Sequence, residues 1–447
     1  MKYNSLKSTQ IVFSLILVGL IAITSQPAQA ITAQQVTSPG GLNAWFVPDN
    51  TNPILTIKFA FRGGAALDPA GKEGLSNVVS GLLDEGAGNI DSQTFQQTLN
   101  DLSIGLSFDS GRDEFSGQLT TLTRNQETAF DLLRLALTEP RFDAEPVERI
   151  RSQIMVRLKR NLEAPHAIAS RTLFKTLYPD HVYGRPSDGT LETVEKLTTE
   201  DFREFVKKRL AKDNLIIGVV GDITAEELGI RLDQLFGALP DTAASWTVAD
   251  VDPVDKGQTI VIERDIPQSS ILVAQKGLMR PDPDFYAAFV MNHMFGGGSF
   301  TSRLYAEIRE KRGLVYSVGT GLYPFDHSAL ILGSAGTANE RAHETLSVLK
   351  TEWEKMAADG VTQNELDDAK TFLTGSYPLR FSSSGRIASM LVGMQVANLS
   401  VDYMQKRNSF IEAVSLDDIN RVAKRILISE NLVTVVVGKP DGITSTN

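Results

Sequence analysis

Cysteine is absent from the 447 residues, which excludes disulfides, a thiol nucleophile and a lipid-modified N-terminal cysteine. Histidine is scarce. The five present are His166, His181, His293, His327 and His343, and no two are four apart. Neither H-x-x-E-H nor H-E-x-x-H can therefore occur, and both zinc-hydrolase helices are excluded. G-x-S-x-G is missing as well, so no serine-nucleophile elbow is present. Positive charge is in deficit, with 44 Lys and Arg against 54 Asp and Glu and a net charge of −10. That balance argues against nucleic acid as a partner. Beyond residue 30 no apolar run approaches the ~18 residues of a membrane span, so the mature chain is expected to be soluble.

The first thirty residues have the layout of an export signal. Lys2 and Lys7 form a positive start, Ile11 to Thr24 is an apolar run, and Ala28-Gln29-Ala30 is an A-x-A cleavage pattern. An uncleaved anchor is the competing reading. Cleavage after Ala30 would leave 417 residues and shift the net charge from −10 to −12. The expected location is the periplasm for a Gram-negative source and the exterior otherwise.

What the chain does have is an internal repeat. "LTTEDFREFVKKRLAKDNLIIGVVGD" from Leu197 aligns without a gap on "VSLDDINRVAKRILISENLVTVVVGK" from Val414, an offset of 217. Each copy reads as a helix capped by Thr198 or Ser415, followed by an all-apolar strand that should lie inside a sheet. Looser matches precede these blocks. "ILTIKFAFRGGAALDPAG" and "SSILVAQKGLMRPDPDFY" both read as strand then turn. Further on, "GLSFDSGRDEFSGQLTTL" and "VYSVGTGLYPFDHSALILGSAG" both read as strand pairs. The expected fold class is α+β, with two homologous α/β-sandwich halves. Residues 31–240 form the first and 258–447 the second, joined by the Pro-, Ala-, Thr- and Asp-rich linker 241–257.

The most informative stretch is "FGGGSFTSRLYAEIREKRGLVYSV" from Phe295 to Val318. Thr301 is expected to cap a helix whose Leu304 and Ile308 share one face. Gly313 is expected to end it in the left-handed conformation. Arg309 on the last turn and Tyr316 at the start of the next strand could then converge. A guanidinium and a phenol together make a donor pair for a peptide carbonyl or an oxyanion. Taken singly, Arg309 among Glu307, Glu310, Lys311 and Arg312 would be a solvated charge, and Tyr316 an ordinary strand aromatic. "GGGS" at Gly296 to Ser299 lacks the Lys-Ser/Thr of a phosphate loop and reads as tight packing.

This stretch, with "YGRPSDGTLETVEKLTTEDF" from Tyr183, "NLIIGVVGDI" and the two-half plan, resembles the insulinase/pitrilysin-like family of inverted-motif zinc peptidases. That family includes the mitochondrial processing peptidases. The resemblance implies a clamshell built of such halves. One half carries H-x-x-E-H and a downstream Glu, and another supplies an Arg and a Tyr to the substrate. Arg309 and Tyr316 match the latter pair in order and spacing.

The zinc half departs from the pattern. "GLSNVVSG" from Gly74 puts Asn77 and Gly81 at the two His positions and Ser80 at the Glu position. The third-ligand position falls at Arg157, beside Arg151, Lys159 and Arg160. Asn and Ser bind zinc poorly, Gly not at all, and a cation repels it; no carboxylate is left to activate water. His293, near the corresponding place in the second half, sits on an apolar stretch that suits packing better than ligation.

The resemblance with its losses implies a non-catalytic subunit. No metal or other cofactor is expected in this chain. A paralogous H-x-x-E-H subunit would hold zinc, and this chain would help bind a peptide substrate through Arg309 and Tyr316. The alternative is a stand-alone peptide-binding or scaffolding module. An active enzyme by an unrecognised route would require zinc in the isolated chain.

Overall fold

The computed structural model describes residues 31–446, so the proposed export signal lies outside the described residues. Among the described residues eleven strands form two sheets. The first half supplies β1 (Gln34–Thr37), β2 (Asn43–Pro48), β3 (Ile54–Arg62), β4 (Gly105–Ser110), β5 (Glu114–Leu122) and β6 (Leu215–Gly221). The second supplies β7 (Thr259–Glu263), β8 (Gln268–Lys276), β9 (Val315–Pro324), β10 (Ala329–Ala338) and β11 (Val433–Gly438).

The sheet orders are β1-β2-β6-β3-β5-β4 and β7-β11-β8-β10-β9. With β1 set aside, they are the same topology twice. In each sheet one parallel contact, β2 with β6 or β7 with β11, sits among antiparallel neighbours. The fold is therefore α+β with two homologous halves, as the repeat implies.

Local chemistry explains the repeated blocks. Helices Thr199–Arg209 and Leu416–Ile426 both begin with a capping box, Thr198 with Asp201 and Ser415 with Asp418. Each is followed by a single 3-10 turn and then by the apolar strand β6 or β11. Both strands are interior and buried along nearly their whole length.

Burial on both faces needs two cover layers, and the halves provide them by exchange. Helix Pro165–Leu177 of the first half packs Ala169, Leu173 and Leu177 on Val433, Val435 and Val437 of β11. Helix Ser384–Val396 of the second half packs Ile387, Ala388 and Leu391 on Val47 and Val220 of the first sheet. A Cβ at Gly218 in β6 would lie 2.9 Å from the Ala388 carbonyl, so this strand needs glycine where the helix crosses it. Gln395 donates to the Ile217 carbonyl at 2.9 Å across the same contact.

Segment 241–257 has no helix or strand but is tied down at intervals. The Ala244, Val251 and Val254 amides donate to the carbonyls of Lys208, His327 and Leu177. Among the described residues no helix is long and apolar enough to cross a membrane.

Candidate functional site

The stretch matched to the zinc helix forms a short helix, Leu75–Ser80, entered through Gly74 at φ 90°. Asp68 fixes its start. The carboxylate accepts from the Gly74 amide at 2.9 Å, the Ser76 amide at 3.1 Å and the Ser76 hydroxyl at 3.2 Å. Burial pushes the Asp68 pKa up to about 7, against the pull of these donors. A Cβ on Gly74 would lie 2.7 Å from the Asp188 carbonyl, so the glycine lets loop 186–189 close over the helix start. The inner face, Leu75, Val78 and Val79, is buried in the first core.

Asn77, Ser80 and Gly81 lie on the outer side of this helix, beside helix Ala144–Glu163, which carries Arg157. The Arg157 Nη2 donates to the Asn77 Oδ1 at 2.9 Å. The residues matched to the first and third zinc ligands thus meet, as a neutral amide and a cation. The Ser80 hydroxyl donates back to the Asn77 carbonyl at 2.9 Å. Gly81 offers no ligand, and a Cβ there would come within 3.1 Å of Ile150 Cγ2. This donor set does not fit zinc: it has no imidazole and no carboxylate, and a guanidinium reaches into it. Among the described residues, no three His, Asp or Glu side chains converge as a metal site would need.

Arg309 and Tyr316 are brought together. The guanidinium carbon lies 5.0 Å from the Tyr316 ring centroid and 5.0 Å from that of Tyr305. Phe300 stands edge-on to Tyr305, with ring centroids 4.8 Å apart. Tyr316 is 82% exposed, on the edge strand β9. Among the described residues the Arg309 guanidinium touches these rings and makes no hydrogen bond or ion pair, so its donors remain available. Tyr305 and Phe300 are additions that the sequence reading missed. Tyr305, four residues before Arg309, was the available signal.

The helix that carries Arg309 differs from expectation. Thr301 does not cap it; it ends a 3-10 turn, Ser299–Thr301, and its hydroxyl donates to the Gly298 carbonyl at 3.0 Å. Residues Tyr305–Glu310 then form a π-helix, in which the Lys311 amide reaches the Ala306 carbonyl five residues back. Leu304 and Ile308 are both buried, and Gly313 ends the segment at φ 63°. A second π-helix, His293–Gly297, precedes it.

The histidines do not build a metal site. His293 stacks on Phe372 at 5.1 Å, and burial lowers its pKa. His181 and His327 meet Tyr183, whose hydroxyl donates to Asp113 at 2.7 Å and accepts from the His327 amide at 3.0 Å. Arg112 lies over Phe174, Tyr183 and Phe325 beside them. Tyr183, in one of the stretches that carry the resemblance, is thus part of the seam between the halves.

Comparison with known proteins agrees with this picture. The family model described as the peptidase M16 inactive domain matches residues 196–373. A Helicobacter pylori protein named non-peptidase homolog YmxG is 25% identical over 398 residues, 89% of this chain and 91% of its own. An uncharacterized zinc protease of Streptomyces coelicolor is 26% identical, over 89% of this chain and 87% of its own. The crystal structure of a peptidase M16 inactive domain from Pseudomonas fluorescens superposes with a TM-score of 0.86 at 27% identity, covering 93% of this chain and 99% of that one. In its two-half fold and over residues 196–373 the chain is thus similar to the peptidase M16 inactive domain, and the residues at Asn77, Ser80, Gly81 and Arg157 accord with a non-catalytic, insulinase-like protein.

Proposed function

We propose that the chain is the substrate-binding subunit of a heteromeric zinc metallopeptidase, supplying Arg309 and Tyr316 to a partner's active site. The partner is a paralogue with an intact H-x-x-E-H helix and holds the zinc. The peptide lies as an extended strand on a sheet edge of the partner's catalytic half. The observation that carries this reading is the pair itself, a half-buried Arg309 beside an exposed Tyr316. Arg309 is held between two tyrosine rings with its hydrogen-bond donors unspent, beside a phenol on an edge strand. Oriented donors of this kind hold a peptide carbonyl and the negative charge that grows on it during attack. The apolar run and A-x-A pattern of the first thirty residues support an exported location, periplasmic in a Gram-negative source.

Reconstitution with an H-x-x-E-H relative from the same genome tests the reading. Arg309→Ala and Tyr316→Ala should each lower peptide cleavage by the mixed pair at least tenfold while leaving complex formation intact. Arg309→Lys should recover only part of the loss, because an ammonium lacks the planar donor fork. Full activity in both alanine variants would refute the assignment.

A further inference from the structure

A cavity lies far along the chain from Asn77 and Arg157 and does not use Arg309 or Tyr316. It measures about 480 Å³ and sits between helices Phe285–Asn292, Ser384–Val396 and Tyr403–Glu412 and the end of β9. That volume is within the range of small-molecule sites, about 300–1,000 Å³. Its walls are mostly apolar and aromatic, yet three arginines line it: Arg280, Arg380 and Arg407. Among the described residues no Asp or Glu lines it, in a chain with 54 acidic residues.

Arg407 is the telling residue. It is 6% exposed, and its recorded hydrogen-bond acceptors are neutral: the Leu373 carbonyl at 2.8 Å and the Asn408 Oδ1 at 3.0 Å. Its guanidinium rests over the Tyr377 ring at 4.4 Å. Tyr403, Tyr377, Arg380 and Tyr286 are the titratable groups that act on it most strongly. Arg280 is held in the same way. It lies 4.3 Å from the Phe285 ring centroid and donates to the hydroxyls of Tyr286 at 3.0 Å and Tyr403 at 3.4 Å. Ring contacts offset part of the cost of removing a guanidinium from water, but they do not replace a counter-ion. Cations converging on an apolar cavity with no acid of its own present the complement of an anion with an apolar body.

We propose that this cavity binds a small organic carboxylate with an apolar body, its carboxylate held by Arg280 and Arg407 and its body lying among the Phe285, Tyr286 and Tyr377 rings. Planar guanidinium groups suit a carboxylate, and the rings suit the hydrocarbon.

Isothermal titration of the full chain with dodecanoate, and with uncharged dodecanamide as control, tests this. Dodecanoate should bind with one-to-one stoichiometry, and dodecanamide at least tenfold more weakly. Arg280→Gln should weaken dodecanoate at least tenfold. Gly393→Leu should abolish binding, because Gly393 lines the cavity and a Cβ there meets nothing within 4 Å. It replaces glycine inside a helix, so the fold should survive, and an unchanged thermal midpoint or a higher one verifies this. Equal binding of acid and amide would overturn the proposal, as would binding unaffected by Gly393→Leu. So would failure of dodecanoate to bind, including the case in which only an apolar peptide with a free C-terminus binds.

Discussion

Arg157 donates to Asn77 at 2.9 Å, joining the positions matched to the third and first zinc ligands of catalytic relatives. Where the resemblance would place a metal, an amide and a cation satisfy each other. Restoring the helix ligands alone, with Asn77→His, Ser80→Glu and Gly81→His, should leave zinc binding poor while Arg157 remains. Adding Arg157→Glu should tighten zinc at least tenfold, measured by competition with a chromogenic chelator. The Gly81→His step also requires Ile150 to shift, because its Cβ would approach within 3.1 Å.

The contact itself holds little of the fold together. Arg157 is exposed, and a single surface hydrogen bond of this kind is worth about 1 kcal/mol or less. Arg157→Ala should therefore shift the urea midpoint only slightly.

Exchange of helices between the halves makes a stronger demand. Leu391 is fully buried on the first sheet although it belongs to the second half of the chain. Leu391→Ala should cost about 2–5 kcal/mol. Fragments divided within 241–257 each lack the helix that covers one face of their sheet. Expressed separately they should be insoluble or unfolded, and expressed together they should yield a soluble complex. Size-exclusion chromatography with circular dichroism distinguishes these results.

Asp68 gives the fold a pH dependence of definite sign. Its pKa rises on folding, from the ordinary carboxylate value to about 7, because burial disfavours the charge. The native state therefore holds a proton that the unfolded chain releases near pH 4. This contribution is fully present below about pH 4 and is lost as the pH rises towards 7. Asp68→Asn should flatten that part of the profile, measured by denaturant unfolding at pH 4.5 and 7.5. A wild-type profile with no slope attributable to Asp68 would contradict the assignment.

Much of this architecture is legible in the sequence because it is local. The capping boxes at Thr198 and Ser415 each lie within four residues, and the offset of 217 exposes the doubled topology. That Asn77, Ser80 and Gly81 offer zinc no good ligand follows from residue identity alone. Other features depend on distant or irregular contacts. The apolar character of β6 and β11 announces that both faces are covered, but not that each cover comes from the other half. The π-helix at Tyr305–Glu310 changes the hydrogen-bond step from four residues to five, so Thr301 fails as a cap and Tyr305 joins Arg309. Arg280 and Arg407 are more than a hundred residues apart, and only folding shows that they share a cavity without an acid.

The most direct test of the non-catalytic assignment is peptide cleavage by the purified chain alone, with its zinc content measured in the same preparation. The account predicts less than a tenth of an equivalent of zinc and no chelator-sensitive cleavage above buffer, with activity appearing only on addition of an H-x-x-E-H partner. Stoichiometric zinc with chelator-sensitive cleavage by the isolated chain would contradict it.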